Sequence, residues 1–158
     1  MDEQTKKKAL RMITNGMYIL ASAAGSKIAC STVTWLSQKS FKPPLVAVNV
    51  KKDSFTHAVI QESKVFSVHI LGKSQKPMAE KFFKHAEPVG NTIAGCKFHP
   101  GKTGSPIFDD CPAHFECNVV ETCGLGDHTT FIGEVIEAAV HRDEAPLAVS
   151  DTPWSYGG

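Results

Sequence analysis

No stretch of this sequence stays apolar long enough to cross a bilayer: the first apolar run, Met17 to Ala24, falls far short of the roughly 20 residues required. Met1 to Lys8 is polar and charged, so no secretory leader is expected. Cysteines are few, and their number, five, is odd and unevenly spaced, which makes a disulfide framework a poor fit. None of Cys96, Cys111, Cys117 and Cys123 forms a Cys-x-x-Cys pair, so zinc-ribbon or rubredoxin-type iron ligation has no support. Cys30, inside an apolar strand, reads as a small buried hydrophobe. The seven histidines lack the paired spacing of a metal centre, and no metal is expected. An excess of one charge is missing as well. Lys plus Arg number 17 against 16 Asp plus Glu, a net +1, which argues against nucleic acid or an anionic membrane as main partner. There is no Gly-x-Ser-x-Gly elbow, and no cysteine can be given a base from the sequence.

What is present fits one soluble, cytoplasmic domain. A chain of 158 residues should bury roughly 68–70% of its unfolded surface. At 42% hydrophobic and 21% charged it has an ordinary globular composition. Asp2 to Thr14 reads as a short helix that Gly16 can end. Met17 to Ala24 and Lys27 to Trp35 read as a β-hairpin turning at Gly25-Ser26, and Pro43-Pro44 launches a buried strand, Leu45 to Val50. Ser54 caps a helix to Glu62, Val65 to Leu71 is a strand, and Ser74 to His85 is a second amphipathic helix. Glu87 to Asp110 breaks into Gly, Pro, Asn and Lys, the pattern of a long loop with a short strand or two. Two long β-rich runs follow, Ala113 to Cys123 and Thr129 to His141, then an aromatic tail from Ser150 with Trp154 and Tyr156. About six strands that do not alternate one for one with helices favour a closed antiparallel barrel over a doubly wound sheet.

Two nucleotide motifs are rejected. Gly101-Lys102-Thr103 resembles the end of a phosphate loop, but the position five before Gly101 is Cys96, and Gly95 comes one residue too early. Gly124-Leu125-Gly126 sits in a hairpin rather than between strand and helix, so no Rossmann fingerprint is present. More informative are the hydroxyls of Ser31-Thr32-Val33-Thr34 at a strand end, and Lys51-Lys52-Asp53-Ser54-Phe55-Thr56-His57 at a helix N-terminus. The second set offers free amides, a favourable dipole and two cations, which suits a phosphate monoester; taken alone, it is more simply a capped helix with solvated lysines.

Together these segments carry a family resemblance. Gly16 to Ser22, Ser31 to Thr34, Pro43 to Val50, Lys51 to Thr56, Val65 to Leu71 and Gly126-Asp127-His128 through Val135, in this order, resemble the flavin reductase-like family of FMN-binding split barrels. The resemblance covers about Ala9 to Val140. The closing Asp151 to Gly158 resembles the ends of flavin reductase modules associated with rubredoxin or flavodiiron electron transfer. No four-cysteine iron site follows it here, so such an acceptor would be a separate protein.

The resemblance implies a split β-barrel homodimer that binds FMN noncovalently near the dimer interface and takes a hydride from NADH or NADPH. It places Ala29, Cys30, Ser31, Thr32, Val33, Thr34 and Trp35 along the flavin and ribityl chain, with Asn49 on the neighbouring strand. Lys51, Lys52, Ser54 and Thr56 surround the phosphate, Trp154 stacks at the flavin's open edge, and His128 serves as the catalytic residue. The alternative for His128 is a hairpin-turn residue that hydrogen-bonds locally. Electrons would leave to free flavin, a ferric complex or a small redox protein such as rubredoxin. Two alternatives use the same site: a flavoredoxin-like carrier reduced by a protein partner, and a non-catalytic flavin- or haem-binding module. A pyridoxamine phosphate oxidase shares the barrel but matches these motifs less well.

Overall fold

In the computed structural model, which describes residues 1–158, Asp2 caps the first helix by accepting a hydrogen bond from the Thr5 amide at 2.7 Å. This helix, α1 (Glu3–Arg11), buries no residue. It is shorter than the expected Asp2 to Thr14 because Met12 onward turns away. Strands β1 (Tyr18–Ala24) and β2 (Lys27–Val33) form the expected hairpin, with Gly25 at φ +59° supplying the left-handed turn residue. β3 (Leu36–Ser40) has no counterpart in the sequence reading. Its Ser37-Gln38-Lys39 centre is exposed and offers no apolar alternation. β4 (Leu45–Lys51), α2 (Phe55–Ser63) and β5 (Val65–Ile70) fall where the patterns put them. The second amphipathic helix survives only as α3 (Lys76–Lys81), after a 3-10 turn at Lys73–Gln75. β6 (Ala113–Cys123) and β7 (His128–Val140) are the longest strands. The segment read as a loop from Glu87 to Asp110 holds five two-residue strands in two small sheets.

The seven long strands form one antiparallel sheet in the order β2-β1-β5-β6-β7-β4-β3. Its two edges are joined by only Thr34 and Trp35. Three Cα steps span no more than about 11 Å, so the sheet has to curl until β2 and β3 approach, although they do not pair. That is a split antiparallel barrel. One core cluster, including Leu20, Val48, Val50, Ile60, Phe66, Val68 and Phe131, fills one face of the sheet. Another, including Met17, Ile19, Cys30, Leu71, Phe82, Phe108 and Leu147, lies on the other. Neighbours Ile19 and Leu20 thus belong to different cores, which is why β1 reads as an unbroken apolar run rather than an alternating one.

The sequence Gly101-Lys102-Thr103 does grip an anion, but an internal one. The amides of Lys102 and Thr103 and the Thr103 hydroxyl all donate to the carboxylate of Glu116, at 2.9, 2.7 and 2.6 Å. Burial pushes the Glu116 carboxyl up, but these hydrogen bonds outweigh it and hold the group below its usual value.

All five cysteines are free, and only Cys123 is exposed. Burial pushes the Cys111 and Cys117 thiols up to about 12 and raises that of Cys30 as well. A disulfide-exchange reagent is therefore expected to titrate one thiol rapidly in the native protein and five after denaturation. Rapid reaction of three or more would contradict this packing.

Candidate functional site

The two residues that bridge the sheet edges stand in the wall of a cavity of about 480 Å³. From the barrel side it is lined by Ser31, Thr32, Val33, Thr34 and Trp35, then by Asn49, Val50 and Lys51 of β4 and Ser54 at the start of α2. Met17, Phe83, Val149 and the tail residues Trp154, Ser155 and Tyr156 complete the lining. Thr34 is only 8% exposed, and its hydroxyl finds no partner within the protein. A buried hydroxyl without a partner is costly unless a ligand or water completes it.

Several polar groups of the wall are already fixed. Thr32 Oγ1 donates to the Ala79 carbonyl at 2.6 Å, and the Asn49 side-chain oxygen accepts from Thr130 Oγ1. Ser54 caps α2 by accepting from the His57 amide at 3.1 Å while its hydroxyl donates to the Lys51 carbonyl. Lys51 Nζ stands 3.0 Å from Asp53, whose hydrogen bond raises the lysine pKa and keeps it charged.

Nine of the residues assigned from the resemblance therefore meet at one cavity: Ser31, Thr32, Val33, Thr34, Trp35, Asn49, Lys51, Ser54 and Trp154. Four do not. Ala29 and Cys30 are buried in the sheet's core, further along β2 from the split and outside the cavity lining. Thr56 is buried as the second residue of α2 and is not among the lining residues. Lys52 turns to the β6–β7 hairpin and donates to the Gly124 carbonyl. The sequence reading missed Met17, Val50, Phe83, Val149, Ser155 and Tyr156. Tyr156 alone carried a visible signal, as an aromatic beside Trp154.

His128 lies behind this wall. Its side chain is 13% exposed, and both ring nitrogens are engaged: Nδ1 with Asp127 Oδ1 at 2.7 Å, Nε2 with the Tyr156 hydroxyl at 2.8 Å. The Trp35 ring packs on the imidazole at 4.8 Å and meets the Tyr156 ring edge-on at 5.1 Å. Trp154 is seated against Phe83 at 4.8 Å. The hydrogen bond from His128 holds the Asp127 carboxyl below its usual range, and burial raises the Tyr156 phenol. A second cavity of about 260 Å³ adjoins the first. It shares Thr34, Val149 and Trp154 to Tyr156 with it and has Arg11 to Asn15 on its far side.

The arrangement fits a flat ring system with a polar, anionic side chain. Indole and phenyl faces stand with Val33, Val50 and Val149 around the slot, the Thr34 hydroxyl waits for a partner, and a cation and a capped helix start lie at one end. Residues 10–153 match the model of the flavin reductase like domain. The chain is 32% identical over 143 residues to diflavin flavoprotein A 1 of Synechocystis, covering 90% of this chain and 25% of that one. It thus spans about a quarter of the length of that relative. It is 30% identical to the ferric-chelate reductase (NAD(P)H) of Archaeoglobus fulgidus, covering 91% of this chain and 86% of that protein. To the FMN reductase (NADH) SmoA of Agrobacterium fabrum it is 29% identical, with 91% and 80% covered. Among solved structures, the flavin reductase PheA2 in its native state superposes with a TM-score of 0.80 at 27% identity, covering 94% of this chain and 93% of that one.

Proposed function

Because this chain belongs to the flavin reductase like domain family, we propose that it is an NAD(P)H-dependent flavin oxidoreductase that holds FMN in the cavity at the barrel's split. The observation that carries the placement is the buried, unpartnered Thr34 hydroxyl on a wall that also presents Trp35, Lys51 and Ser54. When bound, FMN supplies the hydride-accepting ring. The protein's residues do the rest by binding, orienting and excluding water. Trp35, Val33 and Val50 form a dry floor; Thr34 and backbone groups of Ser31 to Trp35 hydrogen-bond along the ligand; Lys51 and the Ser54 end of α2 hold its phosphate. No side chain needs to act as nucleophile, in keeping with the raised thiols of Cys30, Cys111 and Cys117.

An anaerobic titration of the FMN-loaded protein with NADH, then NADPH, tests this. Stoichiometric bleaching of the flavin is expected, and a bound flavin that stays oxidised with both would sink the reading. The phosphate contact has its own test. Lys51→Ala is expected to weaken FMN binding about 10- to 100-fold, the size of one charge-assisted hydrogen bond. Lys52→Ala should change it less than about threefold, since Lys52 is tied to Gly124. Equal losses would return both lysines to the phosphate.

The homodimer and the acceptor belong to this proposal as well. Similarity to diflavin flavoprotein A 1, in which the matching region is one quarter of the chain, supports a redox protein of the rubredoxin or flavodiiron type as acceptor. Similarity to the ferric-chelate reductase supports a ferric complex. No helix is long and apolar enough to cross a membrane.

A further inference from the structure

The second cavity, of about 260 Å³, shares Thr34, Val149, Trp154, Ser155 and Tyr156 with the first. By itself it falls short of the roughly 300 Å³ at which sites for whole small-molecule ligands begin. Its size and shared lining suit one end of a ligand whose other end lies in the first cavity. No Asp or Glu lines either cavity, and each has one charged residue, Lys51 in the first and Arg11 in the second. Arg11 is anchored by its Nε, which donates to the Gly157 carbonyl at 2.9 Å. It forms no ion pair, so its terminal nitrogens stay available to an anion. Thr34, whose buried hydroxyl has no partner, stands in the lining of both cavities. Met12 and Ile13 line the second cavity as large apolar side chains left 77% and 60% exposed. Trp154 adds an indole there, and Ser150 and Ser155 add hydroxyls. Apolar faces for a flat base, hydroxyls for a sugar and a cation for a phosphate together describe a nucleoside monophosphate.

We propose that the second cavity is an adenylate subsite, where Arg11 holds the phosphate of a nucleotide whose redox ring lies in the first cavity. The inference rests on the flavin oxidoreductase reading. Within that reading two molecules carry an adenylate joined to a redox ring, the nicotinamide dinucleotide and FAD. Both present the same group to Arg11. FMN and nicotinamide mononucleotide lack it and are their controls. Arg11 is thus a specificity-determining residue, which adds affinity for the adenylate-bearing member of a pair and none for the other.

Equilibrium binding to the wild type and to Arg11→Gln decides it, with no turnover in either arm. In the flavin-free protein FMN is compared with FAD by quenching of flavin fluorescence. In the oxidised, FMN-loaded protein nicotinamide mononucleotide is compared with NAD⁺ by calorimetry. In at least one pair the adenylate-bearing member is expected to bind about 10- to 100-fold tighter to the wild type, the size of one charge-assisted contact. Arg11→Gln should remove that advantage and leave the mononucleotide where it was. A loss in the FAD pair assigns the subsite to the flavin's own adenylate, and a loss in the NAD⁺ pair assigns it to the hydride donor's. Ratios that Arg11→Gln leaves unmoved overturn the proposal. So does an equal loss for the mononucleotides, which would mean that Arg11 acts only by holding the tail through Gly157. Ser150→Glu spares that bond and adds a carboxylate to the second cavity's lining. It should weaken the same adenylate-bearing ligand about two- to fivefold and its mononucleotide not at all. No change there overturns the proposal too. If the wild type binds no flavin, the underlying reading fails and the subsite with it; bound flavin with unmoved ratios removes only the subsite.

Discussion

Replacing Glu116 with alanine is expected to lower the melting temperature by about 5–15 °C while leaving FMN affinity unchanged. The carboxylate is 2% exposed, and three donors of the 102–103 turn converge on it. Removing it strands two amides and a hydroxyl, at about 1–3 kcal/mol for each group that water does not reach. Because Lys102 is exposed and Thr103 half-buried, water recovers part of the loss, so a total of about 2–4 kcal/mol is the reasonable sum. Glu116→Gln keeps the shape and one acceptor oxygen and should lose less than half as much. Thermal scans of the three proteins decide it. A shift under 2 °C for alanine would mean that the turn holds without its anion.

Acid should destabilise the protein well before general carboxylate titration does. His69 is fully buried, and its two nitrogens are committed, Nδ1 donating to the Ile19 carbonyl at 3.2 Å and Nε2 accepting from the Phe108 amide at 3.1 Å. Burial is the chief cause of its pKa falling to about 3. An unfolded chain binds a proton at this residue near pH 6.5 while the folded one does not until about pH 3, so stability is lost as pH falls through that window. Between pH 7 and 4.5 the loss from His69 alone is about 3 kcal/mol. His114, lowered by burial and then by the neighbouring His141, adds in the same direction. Glu116 adds at the acid end, where its depressed carboxyl finally takes a proton. Urea unfolding at the two pH values measures the sum. His69→Gln, which keeps one donor and one acceptor, should flatten the slope whatever it does to stability at pH 7. An equally steep slope in that variant would place the titration elsewhere.

The strands were legible wherever burial patterned them. β1 and β2 betray themselves by an apolar run and a Gly-Ser turn, and β6 and β7 by length and β-branched residues. β3 was invisible because an edge strand with one exposed face needs no hydrophobic rhythm, only partners in β4. The cavity was half legible. A strand end rich in hydroxyls and a basic helix start are local features, and both lie in its wall. Alternation within β2 could not have excluded Ala29 and Cys30, because Ser31, Thr32 and Val33 line the cavity in succession; what decides is nearness to the strand's end at the split. The rest of the lining was out of reach, since Phe83, Val149 and Tyr156 meet the barrel only through tertiary packing. The Gly101-Lys102-Thr103 turn was rejected for its spacing, and its true client, Glu116, lies on a strand that no local pattern connects to it.

The last residues of the chain have a consequence for anyone who joins this domain to something else. Gly157 is at φ +87°, where an added Cβ would come within 2.7 Å of the Trp35 indole, and its carbonyl accepts from Arg11 at 2.9 Å. Gly158 is packed between Lys7 and Arg11. Anything joined to Gly158 therefore departs from beside α1, two residues beyond Tyr156 of the cavity lining, and a pull on it reaches that lining. A reporter or tether fused there becomes a mechanical handle on the cavity wall. Met1, at 97% exposure, offers an attachment point without that leverage.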